Sequence, residues 1–200
     1  MISKITKFIV TGFYVGLIRI APGTFGSLLA FPILILLLNL STKYKLKVTI
    51  TSLIVAQQEL LAVAALFVCT SIFLFFIGIY LSNLYIKETG REDPKEVVID
   101  EIVGQMLTVI LSFFTSIFAH NSYLAEKISG EWIDFIFLFL LPFCLFRFFD
   151  IFKPWPINWI DQNVKGGLGV MLDDVVAGIF AAIMCYAFTF VIVGNYTDAQ

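Results

Sequence analysis

The sequence predicts an all-α, polytopic membrane protein that forms a single domain over residues 1–200. Its composition supports this fold class, because 60% of the residues are hydrophobic and the mean hydropathy is +0.95. Only 14% of the residues are charged, whereas soluble domains usually carry about a quarter. Helices are favoured over open strands because lipid offers no partner for unpaired backbone groups.

Apolar stretches that approach the length needed to span a bilayer core, about 20 residues as a helix, recur along the chain. The apolar segment 5–20 contains Arg19, so we expect it to lie at the interface or to form a re-entrant piece. Segment 48–59 is marginal as a span because polar side chains crowd its end. About five segments are predicted to cross the membrane, namely 25–40, 60–82, 102–119, 132–149 and 175–193.

The charge balance and the cysteines exclude several classes of protein. The net charge is −2 and there is no basic run, so we expect no nucleic-acid partner. Cys69, Cys144 and Cys185 lie within apolar stretches and lack metal-ligand spacing, so we interpret them as packing or lipid-facing residues. Lys4 and Lys7 precede an apolar stretch without a plausible cleavage site, so we expect mature sequence there.

The polar connections between the predicted crossings alternate between the two sides of the membrane. With five crossings, one side receives the connections 21–27, 96–101 and 150–174, and the other receives 41–47 and 120–131. The unusual polar residues all fall on the first side, so we predict one site at one membrane surface. The lysines of connection 41–47 lie on the opposite side, which conflicts with the usual bias of basic residues toward the cytoplasm.

Acidic side chains stand where the predicted crossings begin or end. Carboxylates at the edge of a spanning segment are costly to desolvate, so they usually pair, face water or hold a cation. An adjacent acid pair alone is equally compatible with helix capping. Acids at three such places favour a shared cation, and oxygen ligands without histidine or cysteine indicate Mg²⁺. Which acid of each pair would bind the metal stays open. The candidates are Asp100, Glu101, Asp150, Asp173 and Asp174.

Two glycine-containing stretches have the composition of anion-binding turns. "APGTFGS" provides two hydroxyl groups ahead of an apolar helix, whose free N–H groups attract anions. "KGGLG" provides a cation and a backbone that can approach phosphate closely. Each stretch alone is a weak signal, because most glycine-rich turns are only turns. The candidate anion-binding residues are Thr24, Ser27, Lys165, Gly166 and Gly167.

The stretch "FRFFDIFKPWPINWID" places both signs of charge directly after an apolar run. Arg147 and Lys153 could bind phosphate oxygens, or they could snorkel to the interface or pair with Asp150. His120 is the only histidine and falls in a connection on the opposite side, so a Ser-His-Asp triad is untenable. An Asp nucleophile and a metal-activated water both stay open, and the second is the simpler proposal.

Four stretches together resemble the motifs of the phosphatidylglycerophosphatase A family: "APGTFGSL", "VIDEIVGQML", "FRFFDIFKPWPINWID" and "GGLGVMLDDVVAGI". The resemblance covers residues 21–28 and nearly all of 97–180, in family order. It implies a Mg²⁺-dependent lipid phosphatase of the bacterial inner membrane, with its site facing the cytoplasm. Such an enzyme converts phosphatidylglycerophosphate to phosphatidylglycerol and phosphate. The resemblance further implies that Asp150 holds the cation while Arg147 and Lys153 bind the phosphate.

Two other functions use acidic residues in a membrane. An ion-coupled transporter would relay protons or cations through intramembrane acids, but this chain is short, shows no internal repeat and places its acids at segment ends. A membrane phosphotransferase of the CDP-alcohol type also uses aspartates and Mg²⁺, but its D-x-x-D-G-x-x-A-R pattern is absent from this sequence. The lipid phosphatase is therefore the favoured function. The sequence leaves the oligomeric state undetermined.

Overall fold

The computed structural model describes residues 3–49, 55–92, 94–119 and 135–197. Every regular element in these ranges is helical, which confirms the predicted all-α class. The α-helices are α1 (Lys4–Val10), α2 (Pro22–Lys43), α3 (Val55–Thr89), α4 (Ile99–Ala119), α5 (Leu141–Phe152), α6 (Ile157–Asn163) and α7 (Gly166–Thr197). A short 3₁₀ turn lies at Val15–Leu17, and a π-helical turn at Ile136–Leu140 leads into α5.

Each predicted crossing coincides with helix wherever the structure describes it. Within the described ranges, three helical segments are long and apolar enough to cross a membrane by length and composition: Pro22–Lys43, Gln57–Thr89 and Gly166–Val191. The predicted 102–119 segment lies in α4, and the described part of 132–149 forms the π-helical turn and most of α5. Part of the marginal segment 48–59 lies outside the described residues, and its end forms the first turn of α3. His120 also lies outside the described residues.

The connections that flank the predicted site are shorter than the sequence suggested. α3 continues to Thr89, and α7 begins at Gly166, so Asp173 and Asp174 lie about two turns inside α7. The glycines before them indicated a turn because glycine is a common turn residue. Here they permit close packing instead, since a Cβ at Gly167 would collide with the carbonyl oxygen of Ile79 in α3.

Helix α4 lies at the centre of the described fold and contacts α2, α3, α5 and α7. Four of its buried apolar residues belong to two clusters. Ile102 and Met106 pack with Ala30 and Leu34 of α2. Ile99 and Val103 contribute to a second cluster, together with residues of α1, α3 and α7. Burial of apolar side chains on several faces explains why α4 tolerates acidic residues only at its first turn, where the helix meets the surface of the protein.

The contact between α4 and α7 is a backbone contact. A Cβ at Gly178 would lie 2.6 Å from the carbonyl oxygen of Gly104, and a Cβ at Gly104 would lie 2.7 Å from the carbonyl oxygen of Asp174. The hydroxyl of Thr108 donates to the carbonyl oxygens of Gly104 and Gly178 at 2.9 and 3.3 Å. Small residues allow membrane helices to approach this closely. The approach sets the two helices side by side one turn away from their acidic residues.

We predict that Gly178→Ala destabilises the protein, because the added methyl group must push α7 away from the carbonyl oxygen of Gly104. Overpacking of this kind typically costs about 1–3 kcal/mol. Ala187→Leu is the matched control, since Ala187 is exposed on the same helix and surface changes usually stay within about 0.5 kcal/mol. Unfolding of both variants in detergent by heat or denaturant measures the difference. Equal stability of the two variants would contradict the close-packing argument.

Candidate active site

A cavity of about 380 Å³ lies where the starts of α2, α4 and α7 meet the end of α5. It collects charged side chains of both signs from segments far apart in the sequence. This confirms the expectation that the polar connections converge on one place. The charged residues that line the cavity are Glu92, Lys95, Asp100, Glu101, Arg147, Asp150, Lys153, Asp161, Lys165, Asp173 and Asp174.

Three acids form a compact cluster in this cavity. One carboxylate oxygen each from Asp100, Glu101 and Asp174 lies within 4.8 Å of the other two. Each of these residues also has a buried carboxylate oxygen with no hydrogen-bond partner among the described residues. Buried carboxylates this close repel one another when ionised, so the cluster must share protons or hold a cation. Its all-oxygen donor set fits a hard divalent cation such as Mg²⁺.

The positions of these acids follow from local structure. Asp100 and Glu101 lie in the first turn of α4, where the helix dipole favours negative charge. Asp174 joins them because its own carbonyl oxygen packs against Gly104. Gly23, in the first turn of α2, completes the enclosure, since any Cβ there would collide with the Glu101 carboxylate and lie 3.1 Å from Arg147 Nη1. The sequence alone indicates only a turn at Gly23.

Arg147 is held between two partners beside the acid cluster. Its Nη1 lies 2.5 Å from Asp150 Oδ2 and donates to the hydroxyl of Ser27 at 3.3 Å. Ser27 is fully buried and donates in turn to the carbonyl oxygen of Gly23 at 2.8 Å. Ser27 and Thr24 do not line the cavity. Ser27, predicted as an anion-binding residue, therefore contacts Arg147 and positions that side chain.

Lys153 follows α5 in a left-handed conformation, with φ of +42°. Its ammonium group donates to Asp161 Oδ1 and to Asp173 Oδ2, both at 2.6 Å. Burial alone would lower the pKa of Lys153, but the two carboxylates outweigh it, so the pKa lies above its ordinary value. Lys153 therefore stays charged and links the end of α5 to α6 and α7. The sequence shows Asp161 near Lys153 but does not indicate that the two side chains are in contact.

The start of α7 is held by a residue that sequence analysis missed. The backbone N–H of Gly167 donates to Asn83 Oδ1 of α3 at 2.8 Å, and the preceding Gly166 has φ of +72°. A Cβ at Gly166 would lie 2.7 Å from the same oxygen. Asn83 thus caps α7 from a neighbouring helix. Local sequence signals cannot reveal such a cap, because the two residues are 84 positions apart.

The structure divides the "KGGLG" stretch between two roles. Lys165 and Gly166 line the cavity, and Lys165 Nζ lies 3.4 Å from Glu92 Oε2 at the exposed rim. Gly167 does not line the cavity, and its N–H is taken by Asn83. Its predicted contact with an anion therefore lacks a free donor in this geometry. Lys95 and Glu92 also line the cavity, although the sequence analysis assigned them no role.

We predict that Asn83→Ala destabilises the protein and lowers its activity, because the first turn of α7 loses its cap beside Lys165. Loss of a side-chain cap typically costs about 0.5–2 kcal/mol. Asn83→Asp keeps an acceptor and adds a charge that the helix start favours, so it should retain most of the stability. Asn39→Ala, at an exposed position of α2, is the control. Thermal unfolding and activity are measured for all three, and failure of Asn83→Asp to improve on Asn83→Ala would contradict the capping role.

Comparison with known proteins places this chain in a family. Residues 8–189 match the family model described as Phosphatidylglycerophosphatase A. The chain is 33% identical over 175 residues to Phosphatidylglycerophosphatase A of Escherichia coli (strain K12), covering 88% of this chain and 78% of that protein. It is 34% identical over 176 residues to Phosphatidylglycerophosphatase A of Haemophilus influenzae, covering 88% and 83% of the two chains.

A Bacteroides thetaiotaomicron relative, named for a proposed phosphatidylinositol-3-phosphatase activity, is 34% identical over 182 residues, which is 91% of this chain and 92% of that protein. No solved structure gives a significant match to the chain. The family match extends over both flanks of the cavity, from the helix that carries Gly23 to the helix that carries Asp174. This chain therefore belongs to the phosphatidylglycerophosphatase A family.

Proposed function

We propose that this chain is a lipid phosphatase that hydrolyses phosphatidylglycerophosphate to phosphatidylglycerol and inorganic phosphate. The observation that carries the proposal is the cluster of Asp100, Glu101 and Asp174 beside Arg147 and Lys153 in one cavity. Family membership and the names of two relatives support the substrate. No relative named above points to an ion-coupled transporter, the alternative considered from the sequence.

Asp100, Glu101 and Asp174 are the residues that would hold Mg²⁺. When bound there, the ion would supply positive charge toward the phosphate oxygens and lower the pKa of a bound water. Asp150 and Asp173, which were candidates from the sequence, each lie against a basic side chain. We propose that these two acids chiefly position Arg147 and Lys153. For the adjacent pair Asp173 and Asp174, this proposal assigns the cation to Asp174, whereas both Asp100 and Glu101 belong to the cluster.

Arg147 and Lys153 are the residues that would bind the phosphate. A phosphomonoester carries nearly two negative charges at neutral pH, and its oxygens need compensating charge as the bond to the lipid breaks. The guanidinium of Arg147 can form a two-pronged contact, and Lys153 can act as a point charge. Asp161 is the more exposed of the two acids that hold Lys153, so an entering phosphate would displace it most easily. Lys165 adds a further cation at the rim.

The proposed reaction is a hydrolysis. A water oxygen forms a bond to phosphorus, the bond from phosphorus to the glycerol oxygen breaks, and that oxygen takes up a proton. The chain's contribution is to orient the phosphate between the basic residues and the acid cluster, and to limit solvent around it. Most of the rate acceleration in such a site comes from fixed charges that are already in place. Arg147 is fixed in this way by Ser27 and Asp150.

We further propose that α2, α3, α4, α5 with its π-helical turn, and α7 cross a bacterial inner membrane, giving about five crossings. The support is geometric: the cavity collects the starts of α2, α4 and α7 and the end of α5, while Asn83 near the end of α3 contacts Gly167. Along the chain, these helices therefore have their start and their end at the cavity side in turn, as five antiparallel crossings require. The cavity would then face the cytoplasm, and the segment with α1 would lie at that surface against α3.

This topology predicts which positions share a side of the membrane. Lys95 and Gln162 are exposed near the cavity, and Lys45 is exposed just after α2 ends. Cysteines introduced at positions 95 and 162 should react with an impermeant thiol reagent only when the cytoplasmic face is accessible. A cysteine introduced at position 45 should react only when the opposite face is accessible. The three native cysteines are first replaced by serine or alanine. Labelling of positions 45 and 162 from the same face would rule out the crossing order.

The catalytic proposal predicts different results for two adjacent acids. Asp174→Asn removes a carboxylate from the cluster, so turnover on phosphatidylglycerophosphate should fall about a hundredfold or more and the Mg²⁺ requirement should rise. Asp173→Asn, the matched control, mainly frees Lys153, so it should change KM for the lipid and leave the Mg²⁺ requirement nearly unchanged. Phosphate release from purified protein is measured across a Mg²⁺ titration.

Two further arms complete this experiment. Exhaustive chelation should abolish phosphate release from the unmodified protein, and phosphatidylinositol 3-phosphate should be a poorer substrate than phosphatidylglycerophosphate. Undiminished activity after chelation, or normal turnover of Asp174→Asn, would remove the acid cluster from the catalytic role. Faster hydrolysis of phosphatidylinositol 3-phosphate would instead reassign the substrate and leave the cluster in place.

A further inference from the structure

A second cavity, of about 230 Å³, lies between α2, α3, α4 and the π-helical turn. Every side chain that lines it is apolar, so it suits neither an ion nor a polar headgroup. The walls include Phe31 of α2, Ala64 of α3, Val109 of α4 and Phe139 of the π-helical turn. Ile35 and Leu38, at its α2 side, are 48% and 44% exposed. The cavity therefore opens sideways, toward the surface that would face lipid.

Three independent helices place this cavity at the same depth below the phosphate site. Along α2, Phe31 lies about 12 Å beyond Gly23 at a rise of ~1.5 Å per residue. Along α4, Val109 lies about 12 Å beyond Glu101 on the same basis. From Arg147 back to Phe139, the helical path is again about 12 Å. One leaflet of a bilayer core is about 15 Å thick, half of the ~30 Å total, so the cavity starts within the reach of one acyl chain.

Irregular helix geometry occurs at the level of this cavity and shapes two of its walls. The π-helical turn Ile136–Leu140 supplies Leu138 and Phe139, and such turns are frequent at functional sites. In α2, Pro32 lies inside the helix next to Phe31, where it removes a backbone hydrogen bond. The rings of Phe31 and Phe139 lie 5.4 Å apart. Both irregularities disturb regular side-chain packing, which explains how an open space persists between helices.

We propose that this cavity binds the distal part of one acyl chain of the lipid whose phosphate enters the charged cavity. The inference rests on the proposed lipid phosphatase function and adds a second subsite to it. The occupant is an acyl chain because the same helices carry the headgroup site at one end and this cavity about 12 Å deeper, which is within the thickness of one leaflet. A free water-soluble phosphate ester could fill only the charged cavity. Chain binding would orient the lipid so that its phosphate meets Arg147.

The expected energetic effect is modest. An acyl chain that enters the cavity leaves other lipid tails, which are as apolar as the cavity wall, so there is no hydrophobic driving force for the transfer. The gain in binding affinity comes from the fit of the chain to the cavity and from holding the headgroup in position. A substitution that fills the cavity should therefore change the selectivity for chain length several-fold and leave the chemistry of the phosphate site intact.

Ala64→Phe tests the proposal by filling the cavity, with Ala65→Phe as the matched control on the adjacent, exposed position. Phosphate release is measured on phosphatidylglycerophosphate with two hexadecanoyl chains and with two hexanoyl chains, at equal surface fraction in detergent micelles. Ala64→Phe should raise KM for the long-chain lipid on the order of fivefold, with the short-chain lipid and kcat unchanged. Ala65→Phe should behave as the unmodified protein.

A photo-crosslinking arm uses the unmodified protein, so it does not depend on the folding of a variant. Phosphatidylglycerophosphate with a diazirine at the end of one chain should label residues 60–67 and 109–113. Excess unlabelled phosphatidylglycerophosphate should suppress the labelling, while excess phosphatidylcholine should not. Equal suppression by both lipids, labelling elsewhere, or identical behaviour of the Ala64 and Ala65 variants would overturn the proposal. If the unmodified protein releases phosphate from neither lipid, the proposed function fails, and crosslinking still decides the chain subsite.

Discussion

The backbone contact between α4 and α7 is the constraint on which the site depends. Because Gly104 and Gly178 lack side chains, the helices approach until a Cβ on either would meet the other helix's backbone. One turn back along each helix stand the acids that form the cluster, with Glu101 on α4 and Asp174 on α7. The packing that stabilises the core therefore also sets the distance between the carboxylates. A chain that loosened this contact would lose the core and the cluster together.

Two basic residues of the cavity are held by acidic partners, and this arrangement limits the cost of burying their charges. An isolated buried charge is strongly destabilising, whereas a charge held by a close partner and further hydrogen bonds is tolerated. Arg147 lies against Asp150, and Lys153 lies against Asp173 and Asp161. Each acid of the cluster keeps one buried carboxylate oxygen without a hydrogen-bond partner among the described residues. Asp150, Asp161 and Asp173 contact basic side chains, whereas the three cluster acids are the residues proposed to hold a cation.

The long helices carry a charged site at one end and an apolar cavity further along. Charged residues gather at one end of the long helices, around the cavity that includes Asp100 and Lys165. Further along the same helices, the second cavity is lined by apolar side chains alone. A phospholipid likewise has a charged headgroup and an apolar acyl chain. The cavities would therefore recognise the two parts of one molecule without any moving element.

The sequence by itself determined the helical class and the chemical character of the site. Apolar length and acidic, basic and glycine-rich motifs are local properties, so they can be read without coordinates. Only the tertiary structure decided which acids are paired and which are free, because Asp150 and Asp174 differ in their neighbours and not in residue type. The contact of Ser27 with Arg147 and that of Asn83 with Gly167 could not be read from the sequence for the same reason. Each joins segments 84 or more positions apart, and the distance between such segments is set by helix packing, which local sequence does not encode.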